Sequence, residues 1–454
     1  MIIKNILNPF VAAAVAVSAL GTSAAAQHLW TLDECLQYAE SHSIDIQRRE
    51  LNVRQRDVQL NTSRYSRLPE ISARIGEQVS FGNYNYTTGS MDGSEMRENK
   101  DLSYTTGGIG LSLPLFEGLR INNQVKADRF SLEAATADLS LARKNLGIMI
   151  ARDFFECLYC KCMIDVALEQ VKVSSAMAEK AKALVDEGRR PYSELAEAEA
   201  KLADDKYTLA DVTGQCRLAL MTLSQRMNLV DSVDFDIMYI DVEPASPEIP
   251  GTIFEDAVDA WPSIVAARAR IEQQKALMGV ARSGYFPSLS LQGSVGSFYV
   301  KFFQNDPWLG GFGDQFFRNN LNEVVGLHLN IPIFSRFKVR NSVRSAALDI
   351  RDMQLSLDEA RLQLRKEIQT ASTNAYVAYD KYISAQKAAD AARISAEYAE
   401  DSYEAGRSSI FDFQQAQQKY LKAQQNMLQT KFDYLIRLRI LRFYYNNEHY
   451  DENI

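Results

Sequence analysis

The chain has 454 residues, 46% hydrophobic and 24% charged, with a formal net charge of −8. That composition is ordinary for a folded protein, and the acidic balance speaks against nucleic-acid binding, which relies on a basic face. No G-x-S-x-G, phosphate-binding loop or H-E-x-x-H occurs, and His28, His42, His328 and His449 are scattered; no catalytic residue, metal or cofactor is expected.

Residues 1–26 read as a secretory signal peptide. Lys4 supplies the positive region, Phe10 to Leu20 the apolar stretch, and Ala24, Ala25 and Ala26 the cleavage site. The apolar core is too short for a retained membrane anchor, which needs ~20 residues. No cysteine follows the expected cut, so a lipid anchor is not indicated.

A helix is predicted from Leu32 to about Arg67. Pro69 then opens a strand in which Ile71, Ala73, Ile75, Val79 and Phe81 share one face, with Glu77 as the exception. Ser72, Arg74, Gly76, Gln78 and Ser80 take the other face, a period of two. After a polar, aromatic loop (83–102), Ile109, Leu111 and Leu113 alternate with Gly110, Ser112 and Pro114 in a returning strand. Proline costs a ladder hydrogen bond, so Pro114 is expected at the strand's end. A long helix, 119–187, stops at Gly188, and a return helix runs from Tyr192 to Leu229.

A connector, 229–251, carries Pro244, Pro247 and Pro250, and the plan then repeats. Pro69 and Pro287, Pro114 and Pro332, and Gly188 and Gly406 are each separated by 218 residues. Three landmarks at one offset mark an internal duplication. The first repeat spans 27–228 and the second 252–446, with a tail at 447–454; only the openings, Thr31 to Ala39 and Thr252 to Ala260, fall three residues out of register. In the second repeat a helix (253–283) precedes a strand with Leu289, Leu291 and Val295 on one face. A loop (301–322) leads to a strand with Val325, Leu327, Leu329 and Ile331, again ending at a proline, Pro332.

The run from Phe337 to Ala405 has neither proline nor glycine. Along it Met353, Leu357, Ala360, Leu364, Ile368, Ala371, Ala375, Ala378, Tyr382, Ala385, Ala389, Ala392, Ala396, Ala399 and Tyr403 recur at steps of three and four. Apart from the step from Leu364 to Ile368 the two alternate, as in a coiled-coil seam. At ~1.5 Å per residue such a helix is about 100 Å long, too long for separate globules. Gly406 ends it, and a final helix is expected from Ser409 to Tyr445.

Five cysteines are an odd number for an exported chain. Cys157, Cys160 and Cys162 invite a metal or redox reading, but only Cys157 and Cys160 share a helix face and no second pair stands at zinc-finger spacing. Helix packing with Cys35 and Cys216 is the preferred reading.

Four strands of this length suit a transmembrane β-barrel. Phe81, Tyr84, Tyr86, Tyr104, Phe116, Tyr285, Phe286, Phe298, Tyr299 and Phe334 crowd their ends, as in an interfacial aromatic girdle. Four strands cannot close a barrel, and open edges are not tolerated in lipid. Two copies give a filled cylinder, whereas three are the smallest number to leave a channel. A soluble periplasmic coiled-coil scaffold is the competing reading, separable by membrane fractionation.

The duplicated helix–strand–strand–helix plan, the Leu-Pro-Leu-Phe (113–116) and Ile-Pro-Ile-Phe (331–334) strand ends, and an Asp six residues after the tip glycine resemble the TolC-type outer-membrane efflux proteins. The resemblance covers the chain from about Leu32 to Tyr445. It implies a mostly α fold with membrane β: a homotrimeric twelve-stranded barrel in outer-membrane lipid, continuing into a long periplasmic α-helical barrel. It also implies a passive exit duct of a tripartite efflux pump or type I secretion system, joined to a periplasmic adaptor (membrane fusion protein) and an inner-membrane transporter. Asp412 falls at the first gate aspartate, Gln415 at the second and Tyr403 at a tyrosine that holds the tip closed; Glu194 and Glu197 stand at the matching offsets in the first tip. The tip turns, Gly188 with Arg189 and Gly406 with Arg407, are implied adaptor contacts. From the residues alone, Asp412 and Glu194 are equally first-turn carboxylates complementing a helix dipole, and Ser409 a helix cap.

Overall fold

The computed structural model describes residues 28–81, 85–89, 95–99, 101–229, 235–239, 244, 246–247, 253–303 and 310–445. The expected signal peptide, most of the connector, the tail, Tyr84 and His449 lie outside them.

In chain order the elements are β1 (Leu29–Trp30), α1 (Leu32–His42), α2 (Ile44–Tyr65), β2 (Glu70–Ser80), β3 (Asn85–Gly89), β4 (Glu95–Asn99), β5 (Leu102–Glu117), α3 (Arg120–Asp186), α4 (Tyr192–Arg226) and β6 (Asp236–Ile237). The second half adds α5 (Ile253–Ala257), α6 (Pro262–Ser283), β7 (Ser288–Phe302), α7 (Phe312–Asp314), a π-turn (Gln315–Asn319), β8 (Asn322–Asn330), α8 (Lys338–Glu404) and α9 (Ile410–Tyr445). The two long helices are 67 residues each.

The chain divides into two compact units, and both long helices contribute residues to each. In α8 the boundary, between Lys366 and Glu367, falls inside the step from Leu364 to Ile368 that interrupts the three-four alternation.

One unit, residues 1–47, 143–253 and 367–454, is a helical bundle around Cys35, Phe154, Leu158, Leu223, Met227 and Leu435. The alternating series continues through it: Ile368, Ala375, Ala378, Tyr382, Ala389, Ala396 and Tyr403 are buried. A Thr31–Glu34 capping box starts α1, and the Thr31 amide holds the Glu34 carboxyl below its ordinary pKa. The first predicted helix is in fact two. Around Ser43 (ψ 124°) the Ser41 hydroxyl takes the Gln37 and Tyr38 carbonyls, side-chain competition that favours a helix end. β1 pairs in parallel with β6, and Lys161 fixes that connector strand through Asp236 (2.5 Å) and the Ile237 carbonyl (2.8 Å). All five cysteines are buried thiols. Desolvation pushes Cys35 up to about 12 and Cys160 to about 11, so they pack as apolar residues.

The other unit, residues 48–142 and 254–366, holds a four-stranded antiparallel sheet in the order β2-β5-β7-β8. Buried Ala127, Ala134, Ile264, Ala267 and Ile271 pack its helices, with an Arg270–Asp138 ion pair at 2.6 Å. The helix predicted over 253–283 also breaks in two, because Pro262 fits only a first helical turn and restarts the helix as α6. Pro114 does not end its strand: it lies within β5, where the register shifts between Pro114 and Phe116, one of the positions a sheet tolerates proline. Pro332 does fall past the end of β8. Each second strand leaves through two consecutive left-handed residues, Gly118–Leu119 (φ 60° and 66°) and Arg336–Phe337 (φ 50° and 59°), again 218 apart.

The first predicted loop contains the β3–β4 hairpin, and the second folds back as α7 and the π-turn. β7 outruns β8, and side-chain amides take over its open edge. Gln315 bonds both the Val300 amide and its carbonyl at 3.0 Å, and Asn320 donates to Phe298 O at 2.8 Å.

Candidate functional site

Two places in the molecule have the chemistry of a site: the helix tips in the bundle unit and the two faces of the sheet.

Both tips are built alike. At the end of α3 the Arg189 amide reaches Leu184 O (2.9 Å) and the Gly188 amide Val185 O (2.9 Å); at the end of α8 Arg407 reaches Ser402 O (2.8 Å) and Gly406 reaches Tyr403 O (3.0 Å). This is the Schellman pattern, and its left-handed position is glycine at both tips, with φ 69°.

The helices that follow start differently. Pro191 caps α4 without a side-chain bond, and Glu194 in its first turn is held by Arg190 at 3.1 Å. Ser409 caps α9. Its hydroxyl accepts from the Asp412 amide (3.2 Å), and Asp412 Oδ2 accepts from the Ser409 amide (3.2 Å) and hydroxyl (2.7 Å), a reciprocal capping box. Asp412 is therefore a helix-start residue by geometry. It is also exposed on the same side of α9 as Gln415, three residues on, and no cation among the described residues pairs with it. Glu197 is exposed on α4, and Arg189 reaches Glu187 at 3.1 Å.

Between the tips lies a small core of Ala178, Ala181, Leu195, Ala198, Tyr403, Ile410 and Phe413. Tyr403, 6% exposed, stacks on Phe413 with centroids 5.9 Å apart, and Lys180 on α3 pairs with Glu404 at 3.0 Å. Tyr403 thus joins helices within one chain. Sequence reasoning missed a buried polar chain farther along. Lys201 donates to Asp205 (2.7 Å), Gln170 to Asp205 (3.2 Å) and Gln417 to Gln170 (3.2 Å), linking α4, α3 and α9 beside a groove of about 330 Å³.

The sheet has one apolar and one polar face, as the alternation predicts. Ile71, Ile75, Ile109, Val295, Val325, Leu327 and Leu329 all point to one side and stand exposed, Ile75 at 88% and Val325 at 81%. Such a contiguous apolar surface marks a membrane or partner contact. Glu77, the one acid on that side of β2, is engaged by the hydroxyls of Ser103 and Thr105. Rings gather at the sheet's far end, Phe81 stacked on Phe303 and Tyr299, Phe312, Phe316 and Phe317 in mutual contact. The other side is a hollow of about 620 Å³ lined by Glu70, Ser72, Arg74, Ser112, Gln292, Ser294 and His328 with interspersed glycines, Val324 being the apolar exception on this face. An apolar outside and a polar hollow are the faces of a water-filled membrane barrel.

The family model described as outer membrane efflux protein matches residues 35–229 and 254–447, one segment in each half. The fusaric acid resistance protein FusA of Burkholderia cepacia is 24% identical over 327 residues, 70% of this chain and 58% of that protein. The outer membrane protein TolC of Vibrio cholerae is 22% identical over 449 residues, 97% of this chain and 94% of that one. Among solved structures, CusC superposes with a TM-score of 0.76 at 15% identity, covering 92% of each chain. The Campylobacter jejuni CmeC outer membrane channel gives 0.75 at 18%, covering 91% of this chain and 85% of that one.

Proposed function

The chain belongs to the outer membrane efflux protein family, and from that membership we propose that three copies form the passive exit duct of a tripartite efflux pump. A periplasmic adaptor and an inner-membrane transporter complete the machine, the transporter supplying the energy. The protein itself is an outer-membrane efflux channel component with most of its chain in the periplasm, and it is not an enzyme.

The observation that carries the trimer is the sheet. Among the described residues β2 and β8 have no partner on their outer edges, and lipid offers none. Three sheets of four strands close into twelve, wide enough to conduct. Efflux is favoured over protein secretion because relatives such as FusA, and the cobalt-zinc-cadmium resistance protein CzcC of Cupriavidus metallidurans, are named for resistance.

At the tip, Asp412 serves as cap and gate together. Three copies around one axis bring like charges close, which favours cations. Gln415 replaces the second acidic ring, and Tyr403 holds the closed arrangement through the core it shares with Leu195 and Phe413. Arg189 and Arg407, exposed just past the turn glycines, face the adaptor.

The test is purification in detergent followed by planar-bilayer recording. A species three times the chain mass with steady cation-selective conductance is expected. Recovery as a water-soluble monomer without detergent would instead favour the scaffold reading.

A further inference from the structure

The duplication extends to the hydrogen-bond ladder of the sheet. In the first hairpin Arg74 faces Gly108, and in the second Gln292 faces Gly326, each partner displaced by 218. The junction between hairpins is fixed residue by residue as well: along β5 and β7, Gly108 faces Gly296, Gly110 faces Ser294 and Ser112 faces Gln292. A junction between copies joins β8 to the β2 of a neighbour, which are the counterparts of β5 and β7. Moving the observed pairs by the same 218, up on one strand and down on the other, sets Gly326 opposite the partner's Gln78. His328 then faces the partner's Gly76, and Asn330 the partner's Arg74.

We propose that copies join in this register, and that each junction assembles on the polar face an oxyanion-binding site absent from any single chain: Arg74 of one copy beside Asn330 and His328 of the next. The inference rests on the duct reading above.

The outer face supports the register. It sets Val325 against the partner's Val79, Leu329 against the partner's Ile75 and Ile331 against the partner's Ala73, so apolar meets apolar. Leu327 meets the partner's Glu77, whose carboxylate Ser103 and Thr105 already engage. A slip of one residue would turn these side chains into the lumen.

On the polar face, directly opposed residues have Cβ atoms about 5 Å apart and diagonal ones ~7–8 Å apart. Asn330 is therefore in direct reach of Arg74 and His328 on the diagonal, over a glycine that leaves its ring room. Within the chain Arg74 faces Gly108, and no acid among the described residues pairs with it. Glu70, the acid on the same face of β2, stands four residues away, about 13 Å along the strand. A guanidinium fork with an imidazole and an amide beside it fits a carboxylate or phosphate group, and three junctions place three such sites around the lumen.

Two arms test this in the full chain. Gly326, where a Cβ would meet nothing within 4 Å, is changed to Cys together with Gln78→Cys or, as the mismatched pair, Ser72→Cys. Mild oxidation should give reducible covalent trimers at least tenfold faster with Gln78→Cys; equal or reversed rates overturn the register. In bilayers, citrate should lower the conductance. Arg74→Gln should raise its half-blocking concentration at least fivefold and His328→Gln by less, while Arg74→Lys keeps part of the block. Unchanged block by citrate in Arg74→Gln trimers of normal potassium chloride conductance overturns the site and leaves the duct standing. A wild-type protein that neither trimerises nor conducts overturns the duct itself.

Discussion

The two tips share a backbone and differ in charge. Each ends a 67-residue helix with a Schellman turn on a glycine at φ 69°. Beyond it, the first tip neutralises its first-turn carboxylate, Glu194, with Arg190 at 3.1 Å. The second leaves Asp412 exposed, bonded among the described residues to Ser409 of its own cap alone. Duplication thus preserved the element that must turn the chain and released the one that meets solvent. Under the proposed gate, Asp412 rather than Glu194 is the carboxylate that adds its charge to the ring.

The largest effect should come from the shared part. Gly188→Val and Gly406→Val each force a β-branched residue into the left-handed region, a cost of about 1–2 kcal/mol per copy. A Cβ would meet nothing within 4 Å at either position, so the strain is in the backbone alone. Thermal unfolding in detergent should fall by similar amounts in the two variants. A loss confined to Gly406→Val would break the equivalence of the turns.

Next in size is the part that differs. Asp412→Ala removes the charge and the carboxylate half of the capping box, leaving the Ser409 hydroxyl on the helix, and should cost about 1 kcal/mol or less. Asp412→Gln keeps a residue suited to the third helical position and removes only the charge. Both variants should weaken cation selectivity in bilayers, and only the alanine should lower stability. Glu194→Gln should leave selectivity as it was. If Asp412→Gln conducts like the wild type, its carboxylate is a capping-box partner and nothing more.

Much of this was readable from the chain. The 218-residue offset, the period-two strands and the three-four series on α8 are local patterns, and the sheet register and the buried series reproduce them. What was not readable depended on distant partners or on several weak local preferences. Arg336 and Phe337 adopt left-handed φ without a glycine to announce it. Gln315 became an edge cap because β7 outruns β8, a fact of the ladder rather than of its neighbours. The Lys201–Asp205–Gln170–Gln417 chain joins three helices far apart in sequence. At the tips the glycines gave away both turns, while the Arg190–Glu194 pair, four residues apart and visible in the sequence, went unread.

The smallest effect lies where the tips meet. Lys180 on α3 pairs with Glu404 on α8 at 3.0 Å, but the side chains are 45% and 58% exposed. An exposed pair contributes about 0.2–1 kcal/mol, and Lys180, 6.0 Å from the Tyr403 centroid, adds at most a weak cation–π attraction. Lys180→Gln should therefore lower stability by less than about 1 kcal/mol. The difference should shrink in 1 M salt, where the screening length is about 3 Å. Bilayer leak should rise little, because Tyr403 and Phe413 still stack without the lysine. A large leak that high salt reproduces in the wild type would move the hold on the closed tip from the buried core to this ion pair, and the tips would then be joined by charge rather than by packing.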